Sequence, residues 1–264
     1  MNNPSTINCS NPFVFTYKTP FMQRIADIVR AGHTQYTTGT IPVNKAGFFA
    51  RKFENQFQTW RSKLQACRAR KNGESSARLL FLHHAEDEHL TWILLYQAGT
   101  APDQSGNKWR DALSDKIILT GYELVRHTRA GSKKPAWSWR YTQKQYDLLR
   151  DSIVQAIRNK RDMELRQLIQ SISRSPGFAL VREQVKKLND LIKSEWKRRR
   201  AKNEPMPELP HHGYARRLED RGCPLSELKS SLSEKKLRSV PDAKPPIPVV
   251  RGHMPSVGNN TVTA

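Results

Sequence analysis

Residues 78–97 read RLLFLHHAEDEHLTWILLYQ: two apolar runs, Arg78 to His84 and His89 to Gln97, around the acidic stretch Ala85-Glu86-Asp87-Glu88. Short apolar runs of this length, split by an acidic turn, predict an antiparallel hairpin. Both runs are apolar at odd and at even positions. A strand of that kind is covered on both faces, so the hairpin is expected at the centre of a sheet.

Working outward, TQYTTGTI at 34–41 is also rich in β-branched residues and reads as extended, after a short helix from Pro20 to Ala31 ended by Gly32. Downstream, Lys116 to His127 and Pro135 to Tyr141 read as a third and a fourth strand. The simplest arrangement is an α+β fold with a four-stranded antiparallel meander, flanked by basic helices.

The helices announce themselves by period. Between Asn44, a candidate N-cap, and Lys71, the residues Phe49, Phe53, Phe57, Trp60, Leu64 and Cys67 recur at steps of three and four, which predicts one long helix over 45–71. After Thr142 three stripes follow: Tyr146, Leu149, Ile153 and Ile157; then Leu165, Leu168, Ile169 and Ile172; then Phe178, Val181, Val185, Leu188, Ile192 and Trp196. Pro176 suits the first turn of the last helix, where a missing amide hydrogen costs nothing. The expected layout is an α+β sheet domain over 1–142, a C-terminal helical segment over 143–202 and a Pro-rich tail over 203–264. Nine of the 16 prolines fall in that tail and neither Trp nor Phe does, so it is expected to be disordered.

Charge follows the same divisions. The chain of 264 residues carries 45 Lys and Arg against 24 Asp and Glu, a formal charge of +21. Residues 45–71 hold eight basic residues and one acid, and 143–202 hold sixteen and seven, whereas the strand-rich 72–142 hold nine and eight. Cationic helices around a neutral sheet point to a polyanionic partner, because phosphates neutralised by Lys and Arg release counterions. The expected partner is nucleic acid, duplex DNA ahead of RNA. The contacts are assigned to Arg51, Lys52, Arg61, Lys63, Arg68, Arg70 and Lys71 on the first helix, and to Arg182, Lys186, Lys187, Lys193, Lys197, Arg198, Arg199 and Arg200 on the last. Arg161 to Leu191 can also be read as a helix-turn-helix, with Met163 to Ser173 as first helix, Arg174 to Gly177 as turn and a second helix offering Arg182, Gln184, Lys186, Lys187 and Asn189 to base edges.

Two further candidates rest on side-chain chemistry. Trp137, Trp139 and Tyr141 alternate on one face of the fourth strand, so Trp137 and Trp139 are candidates for base stacking, set against a plain core stripe. His83, His84, Glu86, Asp87, Glu88 and His89 form the one metal-like cluster, with His84 and His89 at opposed hairpin ends. Adjacent histidines on a strand point to opposite faces, which argues against a metal and for a solvated turn.

Tyr122, Tyr141 and Tyr146 are candidate nucleophiles without an accompanying pattern. No P-loop, dinucleotide-binding, nucleophile-elbow or His-Glu-x-x-His motif occurs, so the residues support no enzyme class and call for no cofactor. Cys9, Cys67 and Cys223 have neither zinc nor disulfide spacing. No window holds 18 consecutive apolar residues and Met1 to Ser10 is polar and uncharged, so a cytoplasmic protein without membrane association is expected. The functional expectation is a non-enzymatic DNA-binding protein with an accessory or regulatory role in replication, transfer or transcription, in a bacterial or mobile-element setting. The alternatives are a nuclease or relaxase-like strand-transfer enzyme, and a protein-interaction scaffold for an acidic partner.

Overall fold

The computed structural model describes residues 11–85, 87–100, 106, 108–128 and 131–238, side chains of residues 63 and 234–238 excepted. It is a mixed α+β structure with two sheets and seven α-helices among the described residues. A first compact unit spans 1–229 and a second spans 230–264.

The hairpin forms where its sequence places it. Strands β3 (Ser76–His83) and β4 (His89–Gln97) pair antiparallel, with Phe81 opposite Trp92 and Leu80 opposite Ile93. They are the middle of a six-stranded sheet, not of a four-stranded meander. β2 (Gln35–Pro42) lies antiparallel on β4, and the short β5 (Arg110–Asp111) extends that side. On the other side β1 (Phe13–Phe15) runs parallel to β3, and β9 (Gly222–Pro224) pairs with β1. The strand order is β5-β2-β4-β3-β1-β9.

The expected third strand is two strands. β6 (Ile118–Leu119) and β7 (Tyr122–Thr128) are joined by Thr120-Gly121, both at positive φ (45° and 80°), which gives the twist a two-residue hairpin needs. With β8 (Pro135–Tyr141) they form a separate three-stranded sheet. The meander therefore fails at the long connection after Gln97, where the chain leaves the first sheet and starts a second.

Both faces of the first sheet are covered, as its apolar strands require. α1 (Lys18–Arg30) packs Phe21, Met22, Ile25 and Val29 against β3 and β4 on one face and also against β8. On the opposite face α2 (Ala46–Phe57) lays Phe49 and Phe53 on Trp92, and Phe57 on Tyr96 and Trp109. Gly39 on β2 makes room for Trp92: a Cβ there would stand 3.1 Å from the indole.

The long helix expected over 45–71 is broken. α2 ends at Gln58, which is left-handed (φ 51°), and α3 (Lys63–Lys71) begins behind Ser62, whose hydroxyl accepts from Gln65 N–H at 3.2 Å while Gln65 Oε1 accepts from Ser62 N–H at 2.7 Å. This capping box satisfies two orphan amides and starts a new helix. Arg78 holds the linker by donating to the carbonyls of Thr59 and Arg61.

Behind the second sheet, α4 (Gln143–Arg158), α5 (Asp162–Ser173) and α6 (Ala179–Arg199) carry the three stripes read from the sequence. Ile153, Ile157, Leu165, Val181, Leu188 and Ile192 are all fully buried, so each contributes about 2 kcal/mol of burial. α5 packs on α4, whereas α6 packs on α4 and along β8.

The Pro-rich segment does not leave the body at 203. Gln23 Nε2 donates to Arg216 O at 2.7 Å, Arg24 pairs with Asp220 and Arg217 with Asp27, which leads the chain to β9 and to α7 (Leu225–Arg238). Polar pairing to α1 and one strand's worth of backbone bonds replace the apolar surface this segment lacks. Residues 239–264 of the expected tail lie outside the described residues.

Candidate nucleic-acid interface

Burying the aromatic stripe of α2 turns its other side outward, and Arg51 and Lys52 are exposed there without an ion pair among the described residues. On α3, Ala66 and Ala69 are buried while Arg68, Arg70 and Lys71 are exposed and have no ion pair among the described residues. On α6, Val181, Val185, Leu188, Ile192 and Trp196 face the core, leaving Lys186, Lys187, Lys197 and Arg199 exposed with no ion pair among the described residues. Nine of the expected phosphate contacts are thus free cations on three helices.

The other six candidates stand differently. Arg61 is engaged internally: its guanidinium pairs with Glu74 at 2.9 Å and donates to Ser75 O at 3.0 Å. The Arg200 side chain is only 3% exposed, lies over the Trp196 ring and pairs with Asp162 and Glu204. Arg198 pairs at 2.8 Å with Glu195, itself buried and 3.6 Å from Arg158. Lys193 sits 4.0 Å from Asp190. Arg182 stacks on Tyr214, 3.4 Å from the ring centroid, and donates to His212 O. The Lys63 side chain lies outside the described residues.

Residues 209–214 run beside α6 and enclose with it a cleft of about 680 Å³, edged by Lys186, Asn189, Lys193, His211 and the 75%-exposed Tyr214. No period in the sequence marks this strap. Its one aromatic in a Pro-rich stretch was the only available signal.

The helix-turn-helix reading loses two of its five recognition side chains. Arg182 is stacked, and Gln184 bonds the backbone of Tyr141 on β8. Moreover α5 and α6 pack on α4, so α6 is the flank of a sheet and a helix pair, not an outward recognition helix.

The aromatic face of β8 is core. Trp139 is fully buried and its Nε1–H donates to Met22 O of α1 at 2.9 Å, while Trp137 is partly buried against the same cluster. Trp139 therefore offers no ring for stacking a base.

The histidine cluster does not converge. His83 is buried with Nε2 bonded to Asp87 O at 2.8 Å; His84 is half-buried; His89 is exposed, 3.7 Å from the Asp87 carboxylate. Glu86 lies outside the described residues, and among those described no three His, Cys, Asp or Glu are grouped to hold a metal. Of the candidate nucleophiles, Tyr122 and Tyr141 stack at 4.9 Å, and burial raises the phenol pKa of both and of Tyr146. A phenol so held stays protonated, the opposite of what nucleophilic attack needs.

Among the described residues no helix is long and apolar enough to cross a membrane. No protein-family model, no curated protein and no solved structure matches the chain.

Proposed function

We propose that this chain is a non-enzymatic DNA-binding protein that holds duplex phosphates with the free cations of α2, α3 and α6, in an accessory or regulatory role. The observation that carries the reading is the division among its cations. Those needed for the fold are paired or stacked, and nine others on three helices project into solvent with no ion pair among the described residues. An unpaired surface cation adds self-repulsion and little stability, so a cluster of them is accounted for by a polyanion. Phosphate contacts of this kind position a protein on a duplex without reading its sequence.

A binding titration with labelled duplex DNA, single-stranded DNA and RNA over a salt series tests it. With about 0.9 counterions released per phosphate contact, nine contacts predict a log–log salt slope of up to about −8 on duplex DNA. Binding that does not respond to salt removes the proposal, and an acidic protein as the tighter ligand replaces it.

A further inference from the structure

Away from the cationic helices, the turn between β6 and β7, the start of α1, the end of β8 and the end of α5 enclose a cavity of about 340 Å³. Its wall carries two cations, Lys18 and Arg174, and the hydroxyls of Tyr122, Tyr141, Ser171 and Ser175, and no carboxylate. We propose that this cavity binds a phosphomonoester, with Lys18 and Arg174 matching its two charges and the hydroxyls donating to its oxygens.

Lys18 is the first residue of α1, with Nζ 4.7 Å from the centre of the Tyr122 ring. Among the described residues no acid pairs with it, and burial lowers its pKa, so its ammonium is held partly out of water with no counter-charge among them. A buried or half-buried cation is ordinarily paired, and here every polar neighbour in the cavity is neutral or cationic. Arg174 follows α5 and likewise has no ion pair among the described residues, so neither cation has a counter-charge there.

The hydroxyls are fixed in place. Tyr122 and Tyr141 are directly opposite on β7 and β8 and stack, and the Tyr141 hydroxyl bonds that of Ser175. Burial keeps both phenols protonated, which makes them donors. Protonated phenols, hydroxyls that can turn a hydrogen toward a ligand, and two cations, with no carboxylate in the wall, suit a dianionic tetrahedral group. The cavity is larger than a phosphate group alone, which leaves room for the rest of a nucleotide or for a strand terminus.

Calorimetric titration of the full chain with inorganic phosphate, the dinucleotide TpT and its 5′-phosphorylated form pTpT tests the site. The expected result is that pTpT binds at least ten-fold more tightly than TpT, and that Lys18→Met and Arg174→Gln each remove at least ten-fold. Arg174 is exposed, so the second variant reports on binding even if the first disturbs the fold. Phosphate equalling pTpT would assign the cavity to the free anion; tighter pTpT assigns it to a strand terminus. Equal binding of pTpT and TpT, or wild-type affinity in Arg174→Gln at an unchanged melting temperature, overturns the proposal. The triple variant Arg68→Ala, Arg70→Ala, Lys71→Ala is expected to lose duplex affinity and keep pTpT affinity; loss of both alike also overturns it.

Discussion

Gln184 of α6 holds both backbone polar groups of Tyr141, accepting from its N–H at 2.7 Å and donating to its carbonyl at 3.2 Å. A side-chain amide thereby takes the place of a neighbouring strand at the edge of β8. Leu180 N–H adds a longer contact to Ser138 Oγ at 3.4 Å, further along the same edge. An uncovered strand edge is a template for wrong pairing, and a helix laid along it is one of the ways to close it.

Replacing Gln184 by Ala leaves a partly buried N–H and carbonyl unpaired, so a loss of about 1–3 kcal/mol is expected. Urea denaturation measures it. Gln184→Glu keeps the acceptor and loses the donor, and its midpoint is expected between the two. A midpoint unchanged in Gln184→Ala would mean that water replaces the amide without cost.

His33 gives the fold a dependence on acid. It is 4% exposed, shares a 3.1 Å hydrogen bond with Ser76, and burial, with Arg78 and Arg70 nearby, lowers its pKa from 6.5 to about 4. Between those values the unfolded chain binds a proton that the folded one refuses, so stability is full above pH 6.5 and falls as pH drops toward 4. The shift corresponds to up to roughly 3 kcal/mol. Denaturation midpoints at pH 7, 5.5 and 4.5 should fall more steeply for the wild type than for His33→Gln; parallel curves would assign the acid sensitivity to other groups.

Much of this architecture is legible before any coordinates. The β3–β4 hairpin, β8 and the stripes of α4, α5 and α6 follow from local period, because each is long enough to repeat. β1 and β9 are three residues each and show no period, and the parallel placement of β1 beside β3 depends on partners far apart in the chain. The break between α2 and α3 was readable, since Ser62-x-x-Gln65 is a capping-box pattern that the continuous aromatic stripe obscured. The free cations could not be separated from the spent ones in the same way. Arg200 is neutralised by Asp162 38 residues earlier, and Arg182 is covered by Tyr214, 32 residues later.

That division among the cations is itself testable. Arg200→Ala removes a buried guanidinium from Trp196, Asp162 and Glu204 and is expected to lower the melting temperature by several degrees while leaving the salt slope of DNA binding unchanged. Lys197→Ala and Arg199→Ala should do the reverse, leaving the melting temperature alone and reducing the slope by about one each if both touch phosphate. Should Arg200→Ala flatten the slope at an unchanged melting temperature, the assignment of structural and binding cations would be inverted.

Trp139 separates a core role from a stacking one. Trp139→Phe keeps a large ring in the space between β8 and α1 but loses the indole N–H that donates to the Met22 carbonyl at 2.9 Å. The expected cost is about 1–2 kcal/mol, from the lost hydrogen bond and the small void left by the second ring. Affinity for single-stranded DNA should not change, because a fully buried ring has no face for a base, whereas removing a stacking partner costs about 1–3 kcal/mol per base. Unfolding and binding titrations on the same preparation read both numbers. A variant of wild-type stability that loses single-strand affinity would place Trp139 on a surface that opens in solution.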